Sequence, residues 1–154
     1  MKLVGPEAYK LVKAEVGFRI TNLDGTNRLS QIATSTMPKI YIVSLGEWPV
    51  YVGATKQRLR TRIGMKPAEG SGYYGYTFQD DGTGLMLHVW AHADAEDRNH
   101  LDVETVEAEL VFLIRQAGQW PLFQTEIHFH PSAEIHRNVA QQIFGTYSRS
   151  ETVR

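Results

Sequence analysis

Residues 39–66 read KIYIVSLGEWPVYVGATKQRLRTRIGMK, and the reading of this stretch decides the fold of the 154-residue chain. Two short runs rich in β-branched and aromatic residues, Ile40–Ser44 and Val50–Gly53, flank the turn-forming segment LGEWP. Runs of this kind, bounded by Gly and Pro, predict a strand–turn–strand hairpin. Tyr41 and Tyr51 fall near the starts of the two strands. Arg58, Arg60, Arg62 and Lys66 then follow with no acid among them, patterned like the opening of a helix.

Paired tyrosines feeding a basic helix resemble the core of the GIY-YIG nuclease family. The first triplet stands here as Lys39-Ile40-Tyr41, without its glycine, and the second as Tyr51-Val52-Gly53. The arginine signature of the family falls at Leu59-Arg60-Thr61-Arg62-Ile63, one residue further from Gly53 than its commonest spacing. Arg62 takes the family's arginine, with Arg58 and Arg60 as alternatives. The resemblance implies an α+β fold: a small, three-stranded, mostly antiparallel central sheet flanked by helices. It covers residues 37–124 of a single domain 1–154, with residues 1–36 as an N-terminal extension and 125–154 as an added strand and helix. The implied activity is a metal-dependent endonuclease that hydrolyses DNA phosphodiesters with Mg²⁺ or Mn²⁺.

Global properties are compatible with that expectation. A chain of 154 residues suits one domain with a real core. The absence of cysteine excludes disulfides and thiolate metal sites. No apolar run reaches the length of a membrane span, and the N-terminus MKLVGPEAYK lacks a signal-peptide core, so a cytoplasmic location is the expectation. The formal charge of −1 says nothing about partners, but five of the sixteen Lys and Arg lie between Lys56 and Lys66. Basic residues gathered on one face can bind nucleic acid even in a near-neutral protein. Lys56, Arg58 and Arg60 are the candidate DNA contacts.

Outside the motif, Pro6 followed by EAYKLVKAEV predicts a short helix with Tyr9, Leu11 and Val12 on its apolar side. Phe18–Ile20 reads as a short strand, TNLDGTN as a turn, and RLSQIATST as a helical turn or two. The Gly- and Tyr-rich run after Lys66 reads as a long loop, in which Tyr73, Tyr74 and Tyr76 either pack over the sheet or stack on bases. Leu85–Ala91 alternates as LMLHVWA and predicts a third strand with Leu85, Leu87, Val89 and Ala91 on one face. From Asp102 a strong helix follows, with Val103, Val106, Leu110, Leu113, Ile114 and Ala117 at helical spacing up to Gly118. Gln124–His130 alternates like a strand, and Ser132 reads as the N-cap of a last helix burying Ile135, Val139, Ile143 and Phe144.

The helix from Asp102 carries Glu107 on the same side as Val103, Leu110 and Ile114, where a carboxylate is costly without a partner such as a cation. Glu107-Ala108-Glu109-Leu110-Val111 resembles the family's metal-binding glutamate setting, which implies a metal role for Glu107, or for Glu109 if the register shifts. The resemblance further implies Tyr41 as the acceptor of a proton from water, Tyr51 as its orienting partner and Arg62 as the phosphate clamp. Lys66, four residues beyond Arg62, or Lys56, is the implied helper. Gln124 stands where many relatives carry Asn. This scheme requires Tyr41, Tyr51, Arg62 and Glu107 to converge on one groove. Two other readings stand beside it. One is a catalytically inactive nucleic-acid-binding or protein-interaction domain on the same scaffold, with specificity supplied by a partner protein. The other is a transition-metal site built on Glu126, His128 and His130, with His136 nearby.

Overall fold

The computed structural model describes residues 2–13, 18–64, 84–93, 100–118 and 130–147. Strands β1 (Leu3–Lys13), β2 (Phe18–Asn22), β3 (Lys39–Leu45), β4 (Trp48–Thr55) and β5 (Leu85–His92) form one sheet. Its order is β2-β1-β5-β3-β4, and every neighbouring pair is antiparallel. Among the described residues four helices accompany it: α1 (Gln31–Thr34), α2 (Leu59–Gly64), α3 (Leu101–Gln116) and α4 (Glu134–Gly145). The α+β class and the antiparallel β3–β4–β5 core match the sequence reading. Among the described residues the sheet has five strands rather than three.

The two added strands come from the N-terminal segment, where the expected helix after Pro6 is in fact β1. Helical spacing and strand alternation were both available to that segment. Alternation prevails because Tyr9 and Leu11 share one face and are buried, whereas Lys10 between them points out. Pairing decides the matter, since β1 lies between β2 and β5 and gives both edges of its ladder to neighbours. Phe18–Asn22 is a strand and Gln31–Thr34 a single helical turn, as the sequence suggests.

Alternation along the strands divides the core into two layers. On one face Tyr41, Val43, Tyr51, Leu87 and Val89 join Leu59 and Ile63 of α2 and Ala33 of α1. On the other, Ile40, Ile42, Val52 and Trp90 meet Val103, Leu110 and Ile114 of α3 and Val139 and Ile143 of α4. A sheet covered by helices on both faces explains why β3 is buried along almost its whole length rather than at alternate positions. α3 packs against β4 and β3, and α4 packs against α3.

The start of α4 departs from expectation. Ala133, not Ser132, is the N-cap residue, and the His136 ring replaces a hydroxyl cap: the Ala133 backbone N–H donates to His136 Nδ1 at 3.0 Å. Val139 and Ile143 are buried as expected, but Ile135 is exposed and Phe144 only half-buried. The expected strand Gln124–His130 lies, except for His130, outside the described residues.

Candidate functional site

The hairpin register sets the two tyrosines diagonally across from one another. Tyr41 is paired with Gly53 and Val43 with Tyr51, so both rings stand on the same sheet face, their centroids 6.0 Å apart at an interplanar angle of 31°. Gly53 is what lets Tyr41 lie flat across the neighbouring strand. A Cβ at Gly53 would stand 2.5 Å from the Tyr41 hydroxyl oxygen, and β4 is the sheet edge, so that hydroxyl is carried to the rim of the sheet. Tyr41 is fully buried and Tyr51 nearly so, at 6% exposure.

Helix α2 covers the same face. Leu59 and Ile63 anchor it in the layer that contains both tyrosines, and this leaves Arg58 and Arg62, one turn apart, to share a neighbouring flank. Arg58 and Lys56 are exposed, while Arg62 is half-buried with its Nε closed off from solvent. Arg60 has a structural engagement: its guanidinium donates to the Asn27 carbonyl and ties α2 to the turn after β2. Lys66, Tyr73, Tyr74, Tyr76, Gln124, Glu126 and His128 lie outside the described residues.

Glu107 is buried, at 6% exposure, as its position in the apolar spacing predicts. It belongs to the helix on the opposite face of the sheet from the tyrosine rings. Its flank can be fixed from α4: Asp102 faces α4 through His136, and Glu107 lies about 140° further round the helix. Glu107 is therefore turned away from the side of α3 that meets His136, on a helix that packs against β4 and β3. Tyrosines and glutamate do not share a face, so the single groove on which the sequence scheme needs Tyr41, Tyr51, Arg62 and Glu107 to converge is not formed. Glu109 lines a separate cavity of about 310 Å³ with Phe112, His130 and Ser132.

Two features escaped the sequence reading. Lys39, in the place of the first triplet's glycine, is fully buried, and its Nζ donates to the Ser35 and Met37 carbonyls at 2.6 and 2.7 Å. Burial pushes its pKa down to about 8. The only sequence signal was a lysine opening an apolar run on the parity of Tyr41 and Val43. The second feature is a carboxylate shared by two imidazoles: His136 Nε2 lies 2.8 Å from Asp102 Oδ1, and His92 Nε2 lies 3.4 Å from Oδ2. Burial raises the Asp102 pKa, but the hydrogen bonds and positive potential of the two histidines outweigh it and hold the carboxyl below its usual range.

His130 does not join His136 in one site. Its Nε2 lies 3.4 Å from Glu104 Oε2, and His100 meets Oε1 of the same carboxylate at 2.9 Å. Among the described residues no group of three or more His, Asp or Glu side chains is arranged to hold a metal ion. Among the same residues no helix is long and apolar enough to cross a membrane.

Fold and site together define an α+β protein whose five-stranded antiparallel sheet carries a tyrosine pair at its β4 edge. No family model, curated protein or solved structure matches the chain.

Proposed function

We propose that the chain is a metal-dependent endonuclease that hydrolyses DNA phosphodiesters at the β4 edge. One observation carries this reading: the hydroxyl of Tyr41 is brought over Gly53 to the rim of the sheet, beside Tyr51 and under the arginine-bearing helix α2. Tyr41 would accept a proton from the attacking water, and a phenol with a reference pKa of about 10 needs an adjacent positive charge to do so at neutral pH. Arg62, with its planar fork of donors, would hold the phosphate, and Lys56 and Arg58 would contact the flanking backbone. Lys66 keeps the helper role assigned from the sequence.

Glu107 would be the one carboxylate to hold a hard divalent ion, with water and substrate oxygens completing the shell. When bound, Mg²⁺ or Mn²⁺ would supply charge stabilisation for the phosphate and its leaving oxygen. Tyr41 and Glu107 come from opposite faces of the sheet, so the one groove that the sequence scheme requires is not formed by these residues, and this weighs for the second reading below.

A second reading, a catalytically inactive nucleic-acid-binding domain, is favoured by the burial of Tyr41, which no phosphodiester can reach without local opening. Cleavage of supercoiled plasmid in Mg²⁺ or Mn²⁺ separates the two. The nuclease reading expects nicking by the wild type, with at least about a hundredfold loss in Tyr41→Phe and Glu107→Gln. Absence of cleavage on duplex, branched and single-stranded DNA, with DNA binding retained, selects the second reading. Cleavage undiminished by Tyr41→Phe removes the mechanism.

A further inference from the structure

Each end of α4 is tied down by a histidine, and the two ties answer acid in opposite ways. At the start of the helix, His136 Nε2 lies 2.8 Å from one carboxylate oxygen of Asp102 on α3, whose other oxygen faces His92. Just past its end, the Tyr147 hydroxyl lies 2.9 Å from Nδ1 of His88 on β5. We propose that α4 is an acid-operated flap: protonation of His88 releases the Tyr147 end, while the Asp102–His136 contact stays closed as the hinge. The device is independent of the nuclease reading, since it uses none of the residues assigned there.

The direction of the Tyr147 hydrogen bond sets the outcome at that end. Tyr147 is buried, and among the described residues His88 is the hydrogen-bond partner of its hydroxyl, so the phenol proton is donated to Nδ1. A protonated ring has no acceptor to offer. The phenol proton is then orphaned, and a cation stands in a half-buried position. Among the described residues no carboxylate pairs with His88 to offset that charge. Its cross-strand neighbours are Ala8 of β1 and Ile42 of β3. Lys10, next along the same face of β1, is a cation, and so is Arg115 in the last turn of α3, which starts beside α4 at Asp102–His136 and packs along it.

At the hinge the same proton finds an anion. Protonation costs His136 its bond from the Ala133 N–H but turns its contact with Asp102 into an ion pair. Hydrogen bonds from His136 and His92 hold the Asp102 carboxyl below its usual range, so it stays charged in mild acid. Glu104, two residues on, holds His100 and His130, and Glu134 and Arg137 of α4 are exposed. Packing allows the motion. α4 rests on α3, and a groove of about 600 Å³, lined by Leu3, Trp90, Val139, Ile143 and Thr146, separates it from β1 and β5. Outward movement of the Tyr147 end widens a space already present and uncovers the apolar surface around Trp90 and Ile143.

The test is native-state hydrogen exchange of the full chain, followed by NMR from about pH 7.5 to about pH 5 and corrected for intrinsic exchange rates. Burial lowers the His88 pKa below the ordinary 6.5, so the opened end takes up a proton before the closed one does. The closed contact is therefore complete above that ordinary value and is lost as pH falls towards the lowered one. In that window the opening equilibrium should rise about tenfold per pH unit. Amide protection at residues 143–147 should fall by about tenfold, while that of α3 and of residues 137–139 stays within about twofold. This comparison is made within the wild type and needs no variant. His88→Asn, which offers a neutral acceptor and no titrating ring, should remove the response. Unchanged protection at residues 143–147, a loss shared equally by α3 and both ends of α4, or a response of the same size in His88→Asn, each overturns the proposal.

Discussion

The ring of Tyr41 occupies the space that any side chain at Gly53 would need. A Cβ at Gly53 would stand 2.3 Å from Tyr41 Cζ and 2.7 Å from Cε1, far inside contact distance. Gly53 is not among the glycines with positive φ, so the constraint is steric and not conformational. Gly53→Ala is expected to lower stability by about 1–3 kcal/mol, the usual cost of overpacking a core, because a ring with no exposed surface cannot swing clear. Urea unfolding measures this, and Tyr41→Ala should relieve part of the penalty in the double variant. A Gly53→Ala chain as stable as the wild type would mean that the ring lies elsewhere.

Lys39 sets the alkaline side of the stability profile. Its folded pKa of about 8 lies below the ordinary 10.5, so between those values the unfolded chain binds more protons than the folded one. Stability must then rise with pH through that window, by up to about 3 kcal/mol if the whole shift is expressed. Deprotonation does not break the anchor, because a neutral amine still has two N–H groups for the Ser35 and Met37 carbonyls. The clean interval is pH 8 to about 9.5, before the tyrosines of the unfolded chain ionise. Denaturant melts across it should show the rise in wild type and its absence in Lys39→Met. A flat wild-type profile would show that the amine is not desolvated.

These cases also mark what the sequence could reveal. Strand β3, β4 and β5 and helix α3 were legible because their signals are local: dense β-branched runs, strict alternation from Leu85, and helical spacing from Val103 to Ile114. β1 was misread because Tyr9 and Val12 suit a helical spacing while Tyr9 and Leu11 suit a strand, and only pairing with β2 and β5 selects one. The two strands that carry the tyrosines were legible from their β-branched runs, and the observed register sets both rings on one face. The face from which Glu107 enters was not, because it depends on which side of the sheet α3 crosses to. The His136–Asp102 contact joins residues 34 apart in sequence, and no local pattern encodes it.

His136 holds α4 through two bonds at once. Because its Nδ1 accepts the Ala133 N–H, the ring proton sits on Nε2 and is donated to Asp102. Asp102→Ala and His136→Ala should each cost about 1–2 kcal/mol, the second through loss of the helix cap as well. The double variant should fall short of the sum by more than about 0.5 kcal/mol. The depressed Asp102 pKa fixes the acid side: its contribution is complete above the unfolded carboxyl value of about 3.9 and is lost as pH falls through the lower folded value. Additive single variants would show that the two side chains act separately.

The far end of α4 is tied down by a different pair, Tyr147 and His88 of β5. The Tyr147 hydroxyl lies 2.9 Å from His88 Nδ1, and the two rings meet edge to face. Burial lowers the His88 pKa and raises that of Tyr147, so both groups are neutral near pH 7 and the phenol is the donor. Two consequences separate. Tyr147→Phe keeps the ring contact but leaves Nδ1 without its donor, at an expected cost of about 1–2 kcal/mol at pH 7.5. Independently, the depressed His88 pKa means the unfolded chain takes up a proton first as pH falls, so stability should decline below about pH 6.5. His88→Phe should flatten that part of the profile relative to wild type, whereas Tyr147→Phe should retain it. A His88→Phe chain whose stability falls as steeply as the wild type between pH 6.5 and 5 would place the acid sensitivity elsewhere and leave His88 with packing alone.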